Sequence, residues 1–422
     1  MRKLIWMMAL LLAILTGCSS AAPFLLVNPV YPVAAEFEDY ELQREVREKN
    51  ALTETFTDSL TNFACTSAAA VLSEEEENIN YSPVSLYLAL SLTTAGAGGK
   101  TKAQLLEALQ AQGMTGEELA DQCGRLYRLL AMKENEIGRV KPAASLWLEK
   151  GGKLKKAFAD TAGKNFYAEV YSGDLKSEEL RRTMSEWVRN KTSGQLDPQI
   201  KIPEDTVMTL FTCLDFEDQW IDEFRKEENK KANFYRADGS TMMAEYMGST
   251  YNPFGYFRGE GFTRASLSMK NGTRMSFILP DEGTSIGDLV SDPQWLKEAV
   301  SGGTEAYAQV IFEIPKFDFS SSCDLAKTVE RLGAGEIFTP EADLYGITGN
   351  QLFLSGIRQQ TRIAVDEKGV SAAAFTQMLY AGAAMPQQEI VHMILNRPFM
   401  YTVEDNNGVI LFMGVCQMPT EA

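Results

Sequence analysis

The chain of 422 residues predicts an α+β fold. Three observations carry that expectation. Most helix-periodic stretches fall before Thr192, and most strand-like apolar runs fall after Thr206. Between two of those late runs lies a long, almost uncharged segment, Glu367 to Pro386, where a short turn is the norm. Length alone allows one large domain or two or three small ones. A hydrophobic content of 45% supplies a sizeable core.

Residues 1–17 read as a targeting segment, in which Arg2 and Lys3 precede an apolar run from Leu4 to Leu15. Leu15-Thr16-Gly17-Cys18 resembles the lipobox of bacterial lipoproteins. That resemblance implies cleavage before Cys18, acylation of Cys18, and a membrane anchor on the extracytoplasmic face of a bacterial cell. An ordinary signal peptide followed by a coincidental cysteine is the alternative. Residues 18–50 begin small and polar, hold Pro23, Pro29 and Pro32, and end in an acidic patch from Glu36 to Asp39. They are expected to be a flexible tether.

Residues 51–72 place Leu52, Phe56, Leu60, Phe63, Ala64, Ala68 and Val71 at helical spacing. The glutamates that follow read as a solvated helix end. Ser82 caps a second helix with Pro83 in its first position, and the glycines at 96, 98 and 99 end it. Two short helices are expected within 105–130, a strand at 143–148, and helices at 154–166 and 179–192. Strands are expected at 206–216, up to Pro280, at 352–365, at 390–395 and at 409–415.

The segment after Glu367 has one charge pair at its start and is otherwise small or apolar up to Met385. Read with a period of two, one face carries Val370, Ala372, Ala374, Thr376, Met378 and Tyr380. The other carries Ser371, Ala373, Phe375, Gln377 and Leu379. The first face is nearly uncharged and small where an insertion would begin, so it fits between two existing strands. The same segment therefore has two available states, an exposed loop and a buried strand. Three consecutive alanines also favour helix, which stands as the alternative for the loop state.

Composition excludes several functions. A net charge of −17 argues against nucleic acid, heparin-like polyanions and anionic membrane surfaces as partners. A single histidine, His392, leaves little room for Ser–His–Asp or Cys–His catalysis and none for a histidine-rich metal site. No metal-ligand cluster or phosphate-cradling glycine motif is present in the sequence, so no cofactor is expected. Apart from Cys18 there are five scattered cysteines, an odd number, which argues against a disulfide framework.

Glu367-Lys368-Gly369-x-x-Ala372-Ala373-Ala374-x-Thr376 resembles the reactive-loop hinge of the serpins, the serine protease inhibitor family. The likeness extends through most of the chain. It includes Asn80 to Ser85, Asp215 to Trp220, Phe277 to Pro280, Phe312 to Phe317, and Asn396 to Phe399. The resemblance implies one domain over 51–422, three β-sheets, eight or nine helices, and an exposed reactive-centre loop at 367–390. It implies a loop hinge of Glu367, Gly369, Val370, Ser371, Ala372, Ala373, Ala374, Phe375 and Thr376. It also implies a sheet opening over Ser82, Ser85 and Ser185, with Trp220 as an aromatic plug and Lys316 paired with Glu367.

Two positions depart from the family pattern: serine stands at 185 where asparagine is usual, and glutamine at 359 where histidine is frequent. Counting by the family's spacing puts the scissile bond at Ala383-Ala384, with Pro386 beyond it. Tyr380 or Met385 would serve other proteases in a shifted register. The implied function is that of a bait substrate. A protease cleaves the loop, is trapped as an acyl-enzyme, and the loop inserts into the main sheet. Small residues at the bond favour elastase-like or subtilisin-like serine proteases, held in a covalent complex with a monomeric inhibitor. Alternatives are a non-inhibitory binding protein of the same fold, or an inhibitor of papain-like cysteine proteases. A hydrolase built on His392 is the least consistent with the residues.

Overall fold

The computed structural model describes residues 24–73, 77–203, 206–370 and 389–421. The lipobox with Cys18, hinge residues 371–376, and Ala383 and Ala384 lie outside them.

The strands form two hydrogen-bonded sheets. The main sheet has seven strands in the order Phe24–Val27, Glu169–Gly173, Arg139–Glu149, Met208–Gln219, Gly369–Val370, Ile357–Val365 and Phe317–Asp324. The second runs from Ile390–Ile394 through Ala306–Pro315, Thr241–Gly259, Phe262–Ser268, Arg274–Pro280, Phe399–Glu404 and Ile410–Cys416 to Ile79–Tyr81. The expected second and third sheets are joined because Thr241–Gly259 belongs to both. Its residues 246–256 pair with Ala306–Pro315, and its residues 256–259 pair with Phe262–Ser268. Eleven α-helices occur among the described residues, eight of them nine residues or longer.

The core lies between the sheets and around two helices. Glu54–Leu72 is capped by Thr53, and Pro83–Gly96 by Ser82. Nearly every side chain of Pro83–Gly96 is buried, so it passes through the middle of the molecule rather than over its surface. The helices expected within 105–130 are Gly99–Ala108 and Gly116–Ala131, the second closed by a capping box of Thr115 and Glu118. On the opposite face of the main sheet lies the helix Glu178–Lys191. It packs Leu180, Met184, Trp187 and Val188 on Ala143, Trp147 and Cys213.

The expectation of a flexible tether over 18–50 is corrected for its described part, residues 24–50. Phe24–Val27 extends the main sheet by pairing antiparallel with Glu169–Gly173, and Tyr40–Lys49 is a helix capped by Asp39. A short apolar run beside an edge strand gains ladder bonds and covers an exposed edge, which outweighs the prolines around it. Tyr31 then locks the segment down. Its hydroxyl donates to Glu169 at 2.7 Å, and Lys191 Nζ lies 4.7 Å over its ring. Glu169 also accepts from Trp187 Nε1 at 3.0 Å, from Tyr171, and pairs with Lys191 at 2.6 Å. Burial opposes its charge, but the hydrogen bonds from Lys191, Tyr171 and Tyr31 win and hold its carboxyl below the usual range.

The five described cysteines are buried and form no disulfide with one another. Burial pushes the thiols of Cys65, Cys123 and Cys213 up to about 12, which keeps them protonated and inert.

Removing the hub of the N-terminal dock strands several buried donors. Glu169→Ala is therefore expected to lower unfolding free energy by about 3 kcal/mol, and Tyr31→Phe by about 1 kcal/mol. Urea unfolding of the two variants checks both values.

Candidate functional site

Met208–Gln219 and Ile357–Val365 are neighbours in the main sheet, yet they share little of their length. They pair in parallel only where Ile357, Arg358 and Gln359 meet Leu210, Phe211 and Thr212. At the other end Gly369–Val370 sits between them. Gly369 and Val370 pair with Gln219 and Asp218 on one side, and Val370 pairs with Val365 on the other. Between these two points, residues 213–217 and 360–364 have no ladder pairing with one another among the described residues.

The chain reaches this wedge through a tight reversal. Asp366 accepts through its side chain from Lys368 N at 2.9 Å, and its backbone N donates to Gly369 O at 3.1 Å. Trp220 closes the top: its N donates to Lys368 O and its Nε1 to Asp366 O, at 2.9 and 3.0 Å. Trp220 is fully buried and packs edge-on against Phe224. Gly369 lies so close to the neighbouring strand that a Cβ there would collide with the Asp218 carbonyl oxygen. Val370 is 3% exposed, its side chain in the core.

Lys316 Nζ lies 3.0 Å from Glu367, which also accepts from Asn229, while Glu245 stands 3.6 Å from the same ammonium. Desolvation opposes the charge on Glu367, but hydrogen bonds from its own backbone, Asn229 and Lys316 hold the carboxyl below its ordinary value. Its contribution to stability is thus present at neutral pH and is lost as acid protonates it.

Beneath the gap, Gln359 acts as a backbone mimic. Its Oε1 accepts from Ser82 N at 2.7 Å and its Nε2 donates to Ser82 O at 2.9 Å. Ser82 and Ser85 share a hydroxyl hydrogen bond of 2.9 Å. Thr361 donates to Asn80 O at 2.7 Å. These bonds tie Ile357–Val365 to the start of the central helix. Ser185 does not join them. It lies on Glu178–Lys191, across the sheet, and its hydroxyl donates to Arg181 O of its own helix at 3.1 Å. A serine side chain is too short to reach away from its helix and satisfies itself on the preceding turn.

Sequence reasoning assigned no role to Asp218. It is buried beside Val370 and accepts from Thr273, from Asn271 N at 3.0 Å and from Gln219 N at 2.8 Å. The buried Lys133 is close enough to lower its pKa, yet its ammonium has no hydrogen-bond partner among the described residues. An acid at alternate spacing from Leu210, Leu214 and Phe216 in the strand Met208–Gln219 was the signal in the sequence. His392 stands exposed on the edge strand Ile390–Ile394.

The two strands are thus joined at their foot, and the residues that follow Val365 are wedged between them at their head. The family model described as "Serpin (serine protease inhibitor)" matches residues 58–419, and the chain belongs to the serpin family. Serpin-Z2B of Triticum aestivum is 30% identical over 379 residues, covering 84% of this chain and 94% of the relative. The native state of tengpin, a thermophilic serpin, superposes with a TM-score of 0.79 at 23% identity, over 94% of this chain and 100% of tengpin. Human thyroxine-binding globulin complexed with its hormone superposes at 0.76 and 22% identity, over 87% of this chain and 100% of the globulin. Members of the family bind target proteases as inhibitors rather than acting as catalysts.

Burial lifts the Asp218 carboxyl to about 6, against hydrogen bonds that favour its charge. The folded chain therefore binds a proton more readily than the unfolded chain between about pH 4 and 6. The buried charge costs stability at neutral pH, and that cost vanishes as pH falls through this window. The stability of the wild type relative to Asp218→Asn is expected to rise by about 2 kcal/mol from neutral pH to about pH 4. Urea unfolding of both proteins across that range measures it.

Proposed function

We propose that this chain is an irreversible bait-substrate inhibitor of extracellular serine proteases. The observation that carries the reading is the half-open sheet, with Gly369–Val370 already seated between its strands. Continuing the register of Val370 opposite Asp218 sets Ala372 opposite Phe216, Ala374 opposite Leu214 and Thr376 opposite Thr212. These residues follow Val370 on the core-facing side, where small side chains enter without clash. Phe375 falls opposite Cys213, under the helix Glu178–Lys191. That helix must therefore lift or shift for the loop to pass.

Cleavage between Ala383 and Ala384 would release the inserting end. The attacked carbonyl remains on the protease serine as an acyl group while the freed loop enters the sheet. Each inserted residue gains ladder hydrogen bonds worth about 1 kcal/mol each. Insertion also buries Met378 and Tyr380, at about 1.5–3 kcal/mol for a large apolar side chain. Elastase-like and subtilisin-like enzymes fit the small residues at the bond. We further propose that acylation of Cys18 anchors the inhibitor to the extracytoplasmic face of a bacterial membrane, with the docked segment 24–50 bringing the body close to the anchor.

Val370→Arg places a charge at the first buried position of the inserting strand. The wild type is expected to give a band at the summed mass with elastase on a denaturing gel, and the released peptide to begin at Ala384. The variant is expected to be cleaved at the same bond without that band. A wild type that is cleaved completely with no covalent band would overturn the inhibitory reading for that protease.

A further inference from the structure

Below the short pairing that closes the main sheet lies a cavity of about 150 Å3. Its roof is residues 198–203, and its floor is the paired ends of Met208–Gln219 and Ile357–Val365. One wall is apolar, made by Val188, Ile200, Ile202 and Phe211. The other is polar and incomplete. Thr206 Oγ1 and Ser355 Oγ are buried and have no hydrogen-bond partner among the described residues. Arg358 stands at the rim, exposed, with no hydrogen bond or ion pair from its guanidinium among the described residues. Buried hydroxyls are ordinarily satisfied, so two orphans opening on one cavity mark a place for a polar guest.

We propose that this cavity binds a small monocarboxylate with a compact apolar body, of benzoate size. The volume matches that of a cavity able to hold a benzene ring. A guanidinium fork and two hydroxyls supply donors for both carboxylate oxygens, while the apolar wall receives the ring. Charge selects a monoanion. Among the described residues the cavity is lined by Arg358 and Lys201 against one acid, Asp324.

The site acts on the insertion proposed above and rests on that reading for its effect, though not for binding itself. In the continued register Thr376 arrives opposite Thr212 and Met378 opposite Leu210. The inserting strand must therefore break the pairing of 210–212 with 357–359, which forms the cavity floor. A guest held by Arg358 on one strand and by Phe211 on the other keeps those strands together. It slows insertion and leaves initial protease attack unchanged, so more inhibitor is cleaved without trapping.

Isothermal titration of benzoate into the intact full chain tests the site. One saturable site is expected, weakened at least tenfold in Arg358→Gln, an exposed substitution that leaves the core untouched, and weakened also in Thr206→Val. No saturable binding, or equal binding by wild type and Arg358→Gln, overturns the proposal. Annealing of a synthetic peptide copying residues 370–381 reports on insertion without a protease. Benzoate is expected to slow that annealing at least threefold in the wild type and to leave Arg358→Gln unaffected, and an unchanged wild-type rate with benzoate bound overturns the effect on insertion. Failure of the inhibitory reading shows instead as absent covalent complex with and without benzoate.

Discussion

The pairing between Met208–Gln219 and Ile357–Val365 stops after three residue pairs, and the rest of the molecule is arranged around that break. Among the described residues, 213–217 and 360–364 have no ladder partner across that break, and unpaired backbone groups in a largely covered sheet are a standing cost. The fold does not remove the cost by sliding the strands together. Gly369–Val370 occupies the head of the gap, and both neighbouring strands are engaged there by its ladder bonds. A sheet held apart at one end and pinned at the other is a bistable element, because only a further strand can complete it.

The surroundings keep the open form in place. Gln359 and Thr361 fasten one lip to Ser82 and Asn80 at the start of the buried helix. The other lip belongs to a sheet half that carries Glu178–Lys191 on its outer face and the docked N-terminal strand at its edge. Glu169, at the start of the strand next to that edge, holds Tyr31 of the docked segment and Trp187 and Lys191 of the helix. The pieces that the proposed insertion would displace are thus linked to one another by hydrogen bonds and an ion pair.

Much of this was legible in the residues. Ser82 and Pro83 announce the central helix, and it begins there. The small-residue face read after Val370 lies outside the described residues, but Gly369 and Val370, at its start, are already paired with Gln219 and Asp218. Other features were hidden for physical reasons. Thr241–Gly259 is interrupted by Gly248, Pro253 and Gly255, so local propensity speaks against the long strand that its three partners impose. The prolines at 29 and 32 suggested a tether, while the docking of Tyr31 depends on Glu169 and Lys191, far away in sequence. Ser185 was placed at the sheet opening by family resemblance, but a side chain two atoms long bonds its own helix instead. The role of Asp218 depends on burial beside Thr273 and Asn271, which a one-dimensional reading does not supply.

The central claim is that the open sheet is completed by the chain's own loop once that loop is cut. Thermal unfolding of the intact protein beside protein nicked between Ala383 and Ala384, with the peptide retained, tests it most directly. The account predicts a melting temperature tens of degrees higher for the nicked form, since completing the sheet adds many ladder bonds of about 1 kcal/mol each. A nicked form that melts at the temperature of the intact chain, or below it, would contradict the account.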